Sequence, residues 1–117
     1  MVEQTLLYAP DSLRGIARGI DQIVDLVALT LGPNTGVIYN AIGPGKPERL
    51  TDAGHISRRV TELASRPQNV GAMIVRGMAM ELQEQYQDGI ATAAVLTRAI
   101  VRQAVRQITA GANPMRL

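Results

Sequence analysis

Apolar residues recur at helical spacing along most of this chain. Leu13, Ile16, Ile20, Ile23, Val24, Val27 and Leu31 predict one buried stripe on a first long helix, with Arg14, Arg18, Asp21 and Asp25 mostly off it. Pro10-Asp11-Ser12 supplies side-chain oxygens for the orphan N–H groups of a first turn. Gly32-Pro33 predicts the stop, because proline cannot continue the hydrogen-bond ladder. Val70, Ile74, Met78 and Leu82 recur every four residues and predict a third helix over 69–87. Leu96, Ile100, Ala104 and Ile108, flanked by Val101 and Val105, predict a fourth, with Gly111 as its C-cap and Asn113-Pro114 beyond it. Asp88-Gly89 between these two helices predicts a turn or a cap.

The pattern changes elsewhere. Thr5, Leu6, Leu7 and Tyr8 predict a short strand over 2–8. From about 34 to 51 the chain predicts a β-hairpin with a loose tip. Val37-Ile38-Tyr39 is one strand, Gly43-Pro44-Gly45-Lys46-Pro47 the turn, and Glu48-Arg49-Leu50-Thr51 the return. A two-stranded hairpin is barely stable alone, so this one is expected to pair further. Thr51 or Asp52 caps a second, short helix through about Leu63, and Ser65-Arg66-Pro67 is expected to break it. The fold class is therefore mainly α (α+β): about four helices, an N-terminal strand and a hairpin.

Composition narrows the chemistry. With 117 residues the chain is one domain or less, and its core is thin. It has three Tyr and no Phe or Trp, so the core must be aliphatic, which favours helices. Met73, Met78 and Met80 are expected in that core rather than in a binding groove. The absence of cysteine excludes disulfides, a thiol nucleophile and a cysteine zinc site, and fits a reducing compartment. His55, the sole histidine, has no second ligand at metal spacing and is expected at a surface or half-buried position. The net charge is only +2, so no nucleic-acid partner is expected. Arg98, Arg102 and Arg106 form one stripe, read as a solvated face or one turned to a missing acidic partner. No apolar run is long enough to span a membrane, and Met1-Val2-Glu3-Gln4 does not open a signal peptide. The cytoplasm is the expected location.

Three stretches carry a resemblance to a known family. They are Thr30-Leu31-Gly32-Pro33, the run Asp88-Gly89-Ile90-Ala91-Thr92-Ala93-Ala94-Val95-Leu96, and Ala110-Gly111-Ala112-Asn113-Pro114-Met115. In order and spacing these resemble the group I, GroEL-type chaperonins, and Asn69-Val70-Gly71-Ala72 resembles the start of the preceding helix there. The resemblance covers nearly the whole chain. It implies that residues 1–117 form a single partial domain, the first half of a nucleotide-binding equatorial domain. It further implies ATP and Mg as cofactors, with Thr30, Leu31, Gly32, Pro33, Asp88, Gly89 and Thr92 at the nucleotide and Asp88 on the metal.

The departures from the family pattern carry equal weight. Where chaperonins have Thr-Lys-Asp-Gly, with an Asp that helps activate water, this chain has Thr51-Asp52-Ala53-Gly54. Aligned on the glycine, Ala53 stands at the catalytic position and Asp52 is turned roughly 100° away on a helix start, while a shift of one residue in this loop would restore the carboxylate. Ile90 and Ala91 replace two phosphate-loop threonines, and Asn34 and Thr35 replace a Lys-Gly pair. The intermediate and apical domains and the returning half of the equatorial domain are absent from these residues. The expectation is a truncated or degenerate chaperonin-like protein acting as an assembly or interaction module. No catalytic residue and no ATP hydrolysis are expected, and ATP binding should be weak or lost. A homo-oligomer, or docking to a chaperonin subunit, is the expected partnership. Two other readings remain: a fragment of a functional ATP-dependent folding chaperonin, and a repurposed helical binding protein.

Overall fold

The computed structural model describes residues 11–34, 36–41 and 43–117. The strand expected over 2–8 lies outside the described residues. Helix α1 spans Asp11–Ala28 and buries Ile20, Ile23, Val24 and Val27 along the predicted stripe. It stops earlier than Gly32-Pro33. The N–H groups of Thr30 and Leu31 bond the carbonyls of Val27 and Ala28 at 3.1 and 3.0 Å, a tightened last turn. The Thr30 hydroxyl also donates to the Val27 carbonyl at 2.8 Å. Leu31 thus falls beyond the helix and is exposed, not part of the core stripe.

Strands β1 (Ile38–Asn40) and β2 (Glu48–Leu50) pair antiparallel, with Ile38 opposite Leu50 and Tyr39 opposite Arg49. Alternation sorts the two faces: Leu50 is buried with Ile38 packed on the core, while Tyr39 is exposed. Val37 and Thr51, expected in the strands, flank them.

Helix α2, Ala53–Arg59, begins at Asp52, whose carboxylate accepts the His55 N–H at 3.1 Å. It ends short of Leu63, with Val60 extended. Val60 and Thr61 are both stiff at χ1 and favour extended backbone. The Arg76 guanidinium donates to the Arg58 carbonyl at 3.3 Å, and the Asn69 side chain accepts the Leu63 N–H at 3.0 Å. Arg59 donates to both Glu48 oxygens, at 2.8 and 2.7 Å, and ties α2 to the hairpin.

Helix α3 runs Arg66–Gln85. Ser65-Arg66-Pro67 starts this helix instead of separating two others. Proline is tolerated in a first turn, where its missing N–H would have no intrahelical acceptor. Helix α4 runs Ile90–Thr109. Gly111 follows it in the left-handed region at φ 103°, while the Gly111 and Ala112 N–H groups close back on the Ile108 and Gln107 carbonyls at 3.0 and 2.9 Å. A 3₁₀ turn, Pro114–Arg116, is capped by Asn113. Among the described residues no helix is long and apolar enough to cross a membrane.

Helix α1 is central, packed chiefly on α3 and then on α4. The α1–α3 crossing is set by glycine: a Cβ on Gly19 would overlap the Gln68 carbonyl, and one on Gly71 the Ile16 carbonyl. Backbones this close admit only small residues, so α3 turns Gly71, Ala72, Val75 and Ala79 inward. The expected α3 and α4 stripes are corrected accordingly. Val70, Ile74, Leu96 and Ile100 are 51%, 54%, 58% and 68% exposed. On α4, Ile90 and Ala94 are buried instead. Met73, Met78 and Leu82 do pack against the core. Two arginines of the stripe find acidic partners within the chain: Arg98 pairs with Asp25, and Arg102 with Asp21 at 3.0 Å, while Arg106 is exposed.

Candidate functional site

The turn after α1, the start of α2 and the loop into α4 enclose an open cleft of about 220 Å³. Thr30 and Leu31 come from the first segment, Thr51, Asp52 and Ala53 from the second, and residues 87–92 from the third. Five of the residues expected at a nucleotide therefore share one surface: Thr30, Leu31, Asp88, Gly89 and Thr92. Gly32 and Pro33 do not line it. Gly32 adopts φ 100° and is exposed, so its role is to let the chain leave the helix.

Each wall is built by local chemistry. Asp88 does not occupy the N-cap of α4. Gly89 does, at φ 77°, with no side-chain cap, and the Asp88 carboxylate accepts the Gly89 N–H at 2.7 Å. The Ala93 N–H bonds the Gly89 carbonyl at 2.9 Å. The N–H groups of Ile90, Ala91 and Thr92 precede that bond and have no intrahelical acceptor. All three residues line the cleft, at the positive end of a 20-residue helix dipole. Ile90 is buried, whereas Thr92 is exposed. Gln87, which the sequence did not single out, also lines the cleft. It is the one non-glycine with positive φ among the described residues, at 57°. Its N–H bonds the Leu82 carbonyl at 3.0 Å, which turns the chain off α3. The only sequence signal was its place before Asp88-Gly89.

Asp52 lies on the cleft, closer to the site than its one-residue offset predicted. Its Oδ2 is nevertheless committed to α2, accepting the His55 N–H at 3.1 Å and standing 3.5 Å from His55 Nδ1. His55 itself is exposed. Ala53 is buried at the first position of α2 and contributes only a methyl group to the wall.

Among the described residues no Lys or Arg lines the cleft, while two carboxylates do. A free phosphate would meet the α4 N–H groups and those two negative charges together. Magnesium typically uses one or two carboxylates plus substrate phosphates, a donor set that the Asp88 and Asp52 carboxylates and the start of α4 would fit. Among the described residues no group of three or more His, Cys, Asp or Glu gathers to hold a metal by itself.

No family model matches the chain. Among solved structures it is similar to the chaperonin gp146 from the bacteriophage EL 2 (Pseudomonas aeruginosa), crystallised in the presence of ATP-BeFx. The TM-score is 0.74 at 23% identity, covering 84% of this chain. The chain spans 18% of the phage chaperonin's length. The fold is chaperonin-like: mainly helical, with one two-stranded antiparallel hairpin.

Proposed function

We propose that this chain acts as a chaperonin-like assembly module, of group I type by its motifs, that self-associates through its helices and keeps at most a weak Mg–ATP site. One observation carries the reading: α3 and α4 each have two apolar faces. One face is buried in this chain, with Ala72, Val75 and Ala79 on α3 and Ile90 and Ala94 on α4; the other carries Val70 and Ile74 on α3 and Leu96 and Ile100 on α4 and is open to solvent. Large apolar residues in register on the outside of a small protein generally meet a partner. The hairpin adds strand edges that invite pairing.

The cleft supports a residual site and argues against turnover. Asp88 would hold the metal, and the N–H groups of Ile90, Ala91 and Thr92 would receive phosphate oxygens. A bound Mg–ATP would supply a polarised γ-phosphate. Phosphoryl transfer further needs a group that positions the attacking water. Ala53 has none to offer, and Asp52, one position early, gives Oδ2 to the cap of its own helix and has only its other oxygen for that role. A second reading, a piece of an ATP-hydrolysing chaperonin, is favoured by the same convergence of Thr30, Asp52 and Asp88.

Sedimentation equilibrium over a range of concentrations tests the leading reading. A dimer or larger species is expected at micromolar concentrations. A single species of monomer mass at high micromolar concentration would refute it.

A further inference from the structure

We infer that Asp88 is a site of spontaneous covalent modification, converting to isoaspartate by attack of the Gly89 backbone nitrogen on its side-chain carboxyl. The reaction is intramolecular, and water is its only other participant. In the first step the Gly89 nitrogen bonds to Asp88 Cγ. The proton of that nitrogen and the carboxyl hydroxyl leave together as water, which closes a five-membered imide. In the second step water opens the ring. Breaking the new N–Cγ bond restores aspartate. Breaking the original peptide bond instead leaves the main chain running through Cβ and Cγ, which is isoaspartate. Nothing is oxidised or reduced.

The turn between α3 and α4 favours closure. The Gly89 nitrogen stands 2.7 Å from Asp88 Oδ1, which is one bond from the carbon it attacks. Holding reacting groups close together in this way removes much of the entropy cost of a reaction. Among the described residues the Gly89 N–H donates to no backbone carbonyl, and the α4 ladder reaches back only to the Gly89 carbonyl, through the Ala93 N–H. Ring closure therefore breaks no helix bond. Glycine carries no Cβ to crowd the attacking nitrogen. Asp88 and Gly89 are both exposed, so water reaches the imide. Asp88 is also the only aspartate that precedes a glycine. By contrast, Asp21 and Asp25 lie inside α1, where the next N–H is held by the helix. Isoaspartate would add one carbon to the main chain at the cleft wall and shorten the carboxylate arm by the same carbon. Mg–ATP binding should fall with it, a consequence that rests on the site proposed above; the isomerisation itself does not.

The test is to age the folded chain for several weeks in neutral buffer at physiological temperature, with circular dichroism to confirm that it stays folded and a urea-unfolded sample beside it. Methylation by a protein isoaspartyl methyltransferase counts the product, and tandem mass spectrometry places it. Isoaspartate should accumulate in the folded chain at position 88, and ageing in heavy-oxygen water should leave a heavy oxygen there. Asp88→Glu keeps the carboxylate but would need a six-membered imide, so its yield should be at least about tenfold lower. A folded chain free of isoaspartate, whether or not the unfolded sample forms it, would overturn the inference. So would product spread evenly over the other aspartates, or an equal yield from Asp88→Glu.

Discussion

Adding one methyl group to helix α3 should have opposite effects six residues apart. At Gly71 a Cβ would overlap the Ile16 carbonyl oxygen and stand 2.9 Å from its carbon and 3.1 Å from its Cα. These are backbone atoms of α1, so no rotamer change can relieve the contact. Helices α1 and α3 must separate or slide, loosening Ile20, Val24, Ala72 and Val75 where they meet. Overpacking of this kind costs about 3 kcal/mol at the upper end of its usual range. Replacing glycine by alanine within a helix returns about 1 kcal/mol. The net loss for Gly71→Ala is about 2 kcal/mol, a large share of the roughly 5–15 kcal/mol that holds a domain folded. At Gly77 a Cβ would meet nothing within 4 Å, so Gly77→Ala keeps only the gain, about 0.5–1 kcal/mol. Urea denaturation followed by circular dichroism at one protein concentration reads both. The midpoint should fall for Gly71→Ala and rise for Gly77→Ala, with unchanged slopes. Equal midpoints for Gly71→Ala and wild type would refute the close α1–α3 crossing, and with it the reason that α3 turns its small face inward.

Calorimetric titration should show ATP binding no tighter than about 100 μM, present only with magnesium, and removed by Asp88→Ala, because the cleft pairs two carboxylates with no lysine or arginine. Low-micromolar affinity, or binding without a divalent cation, would overturn that account. Phosphate release with Mg–ATP should not exceed background; turnover abolished by Asp88→Ala would instead favour the ATP-hydrolysing reading. The Arg59 hydrogen bond holds the Glu48 carboxyl below its ordinary 4.5. A lowered folded value means that the stabilisation is full above the unfolded value and lost as pH falls through the folded one. Glu48→Gln should therefore lower the urea midpoint slightly at neutral pH and match the wild type in strong acid; a constant deficit at every pH would refute the pairing.

Local chemistry was legible wherever a residue acts on its own neighbours. Asp52 caps α2, Gly111 closes α4 by taking a positive φ, and the run Gly43 to Pro47 turns the hairpin between Ile38 and Leu50. Periodicity likewise identified the long helices. It could not say which stripe of α3 faces inward, because Val70 and Ile74 make as regular a row as Gly71, Ala72, Val75 and Ala79. That choice belongs to the pair of helices. Gly19 and Gly71 bring two backbones together, and at that distance the larger side chains have no room. Proline at 67 shows the same ambiguity, since it stops a helix from within but begins one from its first turn. The candidate site divides along the same line. Asp88-Gly89 before a helix was visible as a motif, as was Thr30 at a helix end. That Asp52 shares their cleft while giving Oδ2 to the His55 N–H follows only from how α2 packs against α3, α1 and α4. A helical period is a property of one segment, whereas burial and convergence depend on the distances between segments far apart in the chain.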